Sequence, residues 1–332
     1  MDKNVIFDII TIGDSTIDTF IKIHDATVEC DLNQEECKIC VRYGDKIPVD
    51  AIGSGVAGNA ANVAVGCTKL GLNTAIYTNL GSDNTASTIK KTLEENGVKS
   101  DYIVINKNKE SNLSVVITFQ GERTAFVYHQ PWDYHLPNLK PCSWLYLTSV
   151  AENFTNSNLM DEIYHYVEKI KCKFAYNPGT FQLKANVQRY PRLLEKCEVF
   201  IVNYEEAKKI LNISLHEKVE PKDLLSKLLL LGPKTVVITD GAHGSYASDG
   251  NTNLKAGIVH VEVMEKTGAG DAYTSGLLSA LCLGRPLAEA MIWGTVNSAS
   301  AIQLLGPQNG LLNNDQANTQ SSKLIETLVS TF

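Results

Sequence analysis

The 332-residue sequence predicts an α/β fold, a mainly parallel sheet held between two helix layers with a small antiparallel sheet beside it. Three observations predict this. Apolar runs alternate with amphipathic segments along most of the chain, the signature of strand-helix units wound into a parallel sheet. The first run, Val5 to Gly13, is apolar almost throughout and stops at a glycine, as a strand buried on both faces would. Two stretches, Thr19 to Ile52 and Leu113 to Tyr128, break the rhythm with short alternating segments and no convincing helical period.

The elements follow in order. Thr19 to Ile52 holds pieces such as Lys38-Ile39-Cys40-Val41-Arg42-Tyr43, read as short strands. Ala57 to Gly71 is rich in small and apolar residues and ends in Leu70-Gly71, a helix with a glycine stop. Thr74 to Leu80 is a strand and Asn84 to Asn96 an amphipathic helix; Leu113 to Tyr128 reads as a hairpin around Gln120-Gly121-Glu122-Arg123. Strands at Trp144 to Val150, Lys173 to Asn177, Val199 to Asn203 and Thr235 to Thr239 alternate with helices near Asn158 to Lys171 and Pro221 to Leu231. The last twenty residues turn from polar to amphipathic and read as a closing helix. A single domain over 1–332 accounts for this pattern, with insertions at about 19–52 and 111–130. Their apolar residues need a partner, so together they form one small sheet, a lid over the carboxyl edge where α/β sheets bind ligands. Long surface hairpins are the alternative.

With 44% hydrophobic and 20% charged residues the composition is that of an ordinary globular protein, and no apolar run is long enough to span a bilayer. The N-terminus lacks the features of a signal peptide, so a cytoplasmic, reducing setting is expected. Eight cysteines show no repeated spacing; Cys37 and Cys40 form a lone CxxC without a second ligand pair, and free thiols are the expectation over a metal site. The net charge of −7, without a Lys/Arg block, argues against a nucleic-acid partner but leaves an anionic substrate open.

Two segments carry the chemistry. In Glu265-Lys266-Thr267-Gly268-Ala269-Gly270-Asp271, small residues let the backbone approach a ligand, and the Ala/Leu-rich continuation is a helix whose free N–H groups aim at that point. The turn is an anion hole without the Gly-Lys-Ser/Thr ending of a P-loop. In phosphoryl transfer such donors stabilise the transferred group while a carboxylate takes the proton of the attacking hydroxyl, the place of Asp271. The alternative for Asp271 is a carboxylate that only complements the helix dipole, worth about 0.3–1 kcal/mol. In Gly53-Ser54-Gly55-Val56-Ala57-Gly58-Asn59-Ala60-Ala61-Asn62, glycine-rich entry to a helix brings Asn59 and Asn62 forward as amides suited to sugar hydroxyls; helix capping by Asn59 is the alternative.

These two segments resemble the two signature regions of the PfkB (ribokinase-like) carbohydrate kinases, and order and spacing match from the first strand to about Leu312. The resemblance implies a three-layer αβα sandwich with a β lid and transfer of the γ-phosphoryl of ATP, with magnesium, to a hydroxyl of an uncharged sugar or nucleoside. It implies Asp271 as catalytic base with Gly268, Ala269 and Gly270 as anion hole, and Asp18, Gly58, Asn59, Asn62 and Arg123 at the acceptor. It further implies Asn203, Thr239, Gly241, Gly244 and Asn297 at the nucleotide, and Glu206 at magnesium through water. Glu265-Lys266 replaces the usual Asp-Thr, which leaves Glu265 to serve any potassium site. Asn59 stands where kinases of phosphorylated sugars often carry Lys, so an uncharged acceptor is expected. Lys38, Arg42 or Arg123 could restore that charge and with it a 6-phosphofructokinase-like role. Phe126, Tyr128, Trp132 and Tyr134 could form an aromatic slot for a nucleoside. A non-catalytic sensor would not need Asp271, and an oxidoreductase lacks its GxGxxG after the first strand. Exposed lid edges allow a homodimer through the lids.

Overall fold

The structure is a computed structural model and describes residues 6–31, 37–120, 122–324 and 327–332. Val5, expected to open the first strand, and Gly121, expected in the hairpin turn, lie outside the described residues. The first third of the chain forms β1 (Phe7–Ile12), β2 (Thr16–Ile23), β3 (Thr27–Cys30), β4 (Cys37–Cys40), β5 (Val49–Ala57), α1 (Asn59–Lys69), β6 (Thr74–Leu80), α2 (Asn84–Glu95) and β7 (Lys99–Ile105). The middle forms β8 (Leu113–Phe119), β9 (Glu122–Tyr128), β10 (Cys142–Leu147), α3 (Leu159–Ile170), β11 (Lys173–Tyr176), α4 (Thr180–Lys184), α5 (Pro191–Glu195) and β12 (Cys197–Asn203). The remainder forms α6 (Tyr204–Ile210), α7 (Pro221–Leu229), β13 (Thr235–Thr239), β14 (Ser245–Ser248), β15 (Asn253–Ala256), α8 (Ala269–Cys282), α9 (Leu287–Ala301), α10 (Asn314–Ser322) and β16 (Val329–Thr331).

The main sheet runs β16-β15-β14-β13-β12-β11-β10-β1-β6-β7, parallel from β13 to β7. Ile9, Ile10 and Ile12 of β1 are fully buried because helices cover both faces, which is why that run shows no alternation. The chain leaves β1 for β6 on one side and returns to β10 on the other, so a crevice opens past their carboxyl ends. There Asp14 donates its N–H to Ser149 O at 2.8 Å, tying the two strand ends together. On one face α8 and α9 pack backbone to backbone. A methyl on Gly276 would lie 2.5 Å from Trp293 O, so only glycine permits the approach.

The lid is one sheet, β5-β2-β8-β9, and it settles the choice between lid and loose hairpins. Asp18 pairs with Gly55 and Ser114, and Ser114 with Val127, so Asp18, Ser114 and Val127 share a face; Ser54, Thr19, Val115 and Phe126 lie on the other. The strands of its first insertion start at Thr16 and end at Ala57, beyond the expected 19–52, because the sheet continues until the chain re-enters the main domain.

Three expectations need correction. The closing helix exists as α10, but β16 follows it as an antiparallel edge strand on β15, a three-residue segment too short to carry a sequence period. The cysteines are not all free. Cys30 and Cys37 form a disulfide because they stand opposite each other in the β3–β4 pair, whereas Cys37 and Cys40, three apart on one strand, project to opposite faces. Trp132 and Tyr134 are core side chains, 0% and 1% exposed, while Phe126 and Tyr128 are exposed, so these four make no slot. Among the described residues no group of three His, Cys, Asp or Glu could hold a metal, and no helix is long and apolar enough to cross a membrane.

Candidate active site

Two helix starts meet at the crevice, and glycines permit it. Gly58 precedes α1 with φ 98°, and a methyl there would sit 2.5 Å from Asp14 O. Gly268 precedes α8 in the left-handed region with φ 79°, pressed against Pro307. The first turn of α1 therefore faces the first turn of α8. Asn59 does not cap its helix; its Nδ2 donates to Asp271 Oδ1 at 2.9 Å, and Asn62 Nδ2 donates to Oδ2 at 2.8 Å.

Burial pushes Asp271 up to about 6, opposed by the two amides; the Asp18 charge pushes the same way as burial and Arg123 against it. Burial therefore makes this carboxylate more basic than an ordinary one. Each amide is itself oriented. Ser149 Oγ donates to Asn59 Oδ1 at 3.1 Å and Gln308 Nε2 to Asn62 Oδ1 at 2.9 Å. Sequence reasoning missed Ser149 and Gln308, which lie far along the chain and carry no motif.

Arg123 reaches from the lid to the same place. Its Nη1 donates to Thr267 Oγ1 at 2.6 Å, Thr267 Oγ1 donates to Glu265 Oε1 at 2.6 Å, and Gly306 N donates to Glu265 Oε2 at 2.9 Å. Glu265 is thus a brace on the turn that opens α8. Asp18 is partly buried, and burial raises its carboxyl against the opposing Ser114 hydrogen bond and Arg123 charge.

Two cavities flank the start of α8. One, of about 310 Å³, is lined by Asp18, Gly58, Asn59, Asn62, Arg123 and Asp271, together with Gly268. Its ring-bearing residues are His129 and Phe181, packed edge to face at 5.5 Å. Burial lowers the His129 imidazole. Neither was singled out in the sequence, and neither Lys38 nor Arg42 lines this space; Arg42 pairs with Asp45 at 4.0 Å on the surface. The other cavity, of about 480 Å³, is lined by Thr239, Gly241, Gly244, Val259, Ala269 and Gly270 among others. Gly268 and Asp271 face one cavity, Ala269 and Gly270 the other.

The remaining candidates fall at the sheet edge or behind it. Asn203 and Thr239 stand in register at the ends of β12 and β13. Asn203 Oδ1 accepts from Glu206 N, and Glu206 Oε2 from Asn203 N, both at 2.8 Å, a reciprocal cap that fixes the pair. Burial raises Glu206. The Tyr146 phenol is held well above its ordinary range, first by burial and then by negative charge that includes Asp271 and Glu206. Asn297 is not on the cavity wall. Its Nδ2 donates to Ala272 O and Ser275 Oγ and its Oδ1 accepts from Leu312 N, so it clamps α8 to α9, and Thr295, Ser298 and Ala299 face the cavity instead.

Comparison with known proteins gives a consistent picture. The pfkB family carbohydrate kinase pattern matches residues 19–314. An ATP-dependent 6-phosphofructokinase of Thermoanaerobacterium thermosaccharolyticum is 23% identical over 313 residues, covering 90% of this chain and 89% of its own. A structure of Arabidopsis thaliana ribokinase with ribose and ATP superposes with a TM-score of 0.78 at 17% identity, covering 95% of this chain and 98% of that one. A Methanocaldococcus jannaschii nucleoside kinase superposes at 0.76 with 18% identity and the same coverage, 95% and 98%.

Proposed function

Since the chain belongs to the pfkB family of carbohydrate kinases, and is thereby an ATP-dependent sugar kinase, we propose that it phosphorylates a hydroxyl of an uncharged sugar or nucleoside with Asp271 as general base. The observation that carries this reading is the start of α8 between two cavities, with Asp271 on the one lined by amides and carboxylates and Ala269 and Gly270 on the other, lined mainly by glycines and apolar side chains. Acceptor in the first and adenine nucleotide in the second would meet over the α8 N-terminus.

Asp18 and Asn62 hold acceptor hydroxyls and bring one of them to Asp271. The carboxylate takes its proton as the oxygen attacks. Backbone N–H groups of Gly268, Ala269 and Gly270 stabilise the charge that spreads over the transferred phosphoryl. Thr239, Gly241 and Gly244 flank the nucleotide. A magnesium ion at the nucleotide would be carried mainly by phosphate and water. Glu206, with Asn203, would hold it through water, where it supplies neutralising charge. Glu265, whose two oxygens each accept one hydrogen bond, from Thr267 and Gly306, would have lone pairs left for a potassium ion.

Arg123 in the acceptor cavity favours a second reading, a sugar phosphate acceptor, in line with the 6-phosphofructokinase relative. Its bond to Thr267 and the absence of any other Lys or Arg from the described cavity lining weigh against it. A panel of ribose, fructose, adenosine and fructose 6-phosphate, assayed for ATP-dependent ADP release, decides. We expect turnover on an uncharged acceptor; turnover confined to fructose 6-phosphate would overturn that choice. The reading carries a cytoplasmic setting, where ATP is held. We further assign the outer lid face, where Leu113, Phe126 and Tyr128 are exposed together, to a second copy of the chain. Sedimentation should give a dimer that Phe126→Asp dissociates; a monomeric wild type would remove the assignment.

A further inference from the structure

We propose that Lys266 is the cation that grips the polyphosphate tail of the donor nucleotide, giving the larger cavity its preference for nucleoside di- and triphosphates. The proposal rests on the reading of that cavity as the nucleotide site.

The first support is the charge of the wall. Among the described residues lining this cavity Lys266 is the one Lys or Arg, and there is no Asp or Glu. An anionic ligand approaching a chain of net charge −7 would meet its local positive field here. The second is position. Lys266 O accepts from Ala269 N at 3.3 Å, so the lysine belongs to the turn that opens α8, and Ala269 and Gly270 share the cavity with it. A methyl on Gly270 would meet nothing within 4 Å, which leaves open space beside the helix start.

The third is that the ammonium is not neutralised. The adjacent Glu265 spends its two oxygens on Thr267 and Gly306, and Lys266 has no ion pair or side-chain hydrogen bond among the described residues. Neighbouring residues thus divide the work, one bracing the turn, the other facing the ligand space. Lysine acts as a mobile point charge that suits a phosphate without demanding one geometry. Backbone donors and the helix dipole alone would bind an anion; the lysine adds a dependence on how many charges it carries.

The test is calorimetric titration of adenosine, AMP, ADP and ATP, without acceptor, into wild type, Lys266→Ala and Lys266→Arg. Removing a charge-assisted contact should weaken ADP and ATP by about tenfold or more. Adenosine should change less than about twofold, since it has no charge for the lysine to meet. Lys266→Arg should restore most of the loss, and high salt should narrow the gap between wild type and Lys266→Ala. Equal weakening of adenosine and ATP would make Lys266 a structural residue, and unchanged ATP affinity would also overturn the proposal. A wild type that binds adenosine and ATP nowhere would remove the kinase reading itself, a result distinct from either.

Discussion

Replacing Asn62 by Leu keeps the branched shape, with bulkier methyl groups in place of the amide oxygen and nitrogen, and deletes the N–H that Asp271 Oδ2 accepts at 2.8 Å. Asn62 is 4% exposed, so water does not replace the lost donor. A hydrogen bond to a buried charge contributes about 1.5–3 kcal/mol, and about 1.36 kcal/mol corresponds to one pH unit of ionisation. As the proposed general base, Asp271 would act in its ionised form. With its carboxyl at about 6, wild-type kcat/KM should rise through pH 6 to a plateau above it. Losing a donor to the ionised form makes ionisation harder, so the acid limb in Asn62→Leu should move alkaline by about one to two pH units. The assay is kcat/KM for the acceptor at saturating ATP from pH 5 to 9.5. A deficit largest at low pH and shrinking at high pH is expected, with a residue at pH 9.5 from lost acceptor contacts. An acid limb left in place, with kcat/KM lower by one factor at every pH, would refute the claim that Asn62 sustains the charge of Asp271.

Two further predictions concern the frame. Burial pushes Asp14 up to about 7 even though Tyr134 donates to both its oxygens at 2.7 and 2.8 Å. The folded state therefore holds a proton that the unfolded chain releases above about 3.9, and stability falls as pH rises from there to about 7. Asp14→Asn, which keeps an acceptor for Tyr134, should raise Tm at pH 8 and match wild type near pH 4; a variant less stable than wild type at pH 8 would contradict this. Gly276→Ala would place its methyl 2.5 Å from Trp293 O and force α8 off α9. Overpacking of about 1–3 kcal/mol should appear as a lower urea midpoint, with kcat reduced because α8 carries Asp271, whereas an unchanged midpoint would mean that the helices part freely.

Much of the fold was legible because parallel strands and their helices leave strong periods. The helix expected at Asn84 to Asn96 is α2, and the strand at Thr235 to Thr239 is β13 to the residue. What stayed hidden has physical reasons. β16 is three residues long, and the β3–β4 pair with its Cys30–Cys37 bond is defined by a partner across the strand, not by spacing along it. At the candidate site, glycines, amides and a carboxylate in two short segments stood out, and the structure brings Gly58, Asn59, Asn62 and Asp271 together. Ser149, Gln308, His129 and Phe181 were not, because each acts through a tertiary contact that no local pattern records. Asn297 sat on the right helix but on the wrong side of it: the amide faces α8, and Ser298 and Ala299 face the cavity. Trp132 and Tyr134 look like ligand-stacking aromatics in sequence because aromatic character alone does not say whether a side chain faces a lid or a core.

The most direct measurement is turnover of Asp271→Asn beside wild type on the best acceptor of the panel, with nucleotide and acceptor affinities taken on the same samples. Asparagine can still accept a hydrogen bond from Asn59 or Asn62, and it removes a buried charge, so the fold should hold. Loss of the general base should lower kcat by about 10²–10⁴-fold with both ligands still bound. A variant that keeps wild-type kcat would contradict the assignment of Asp271.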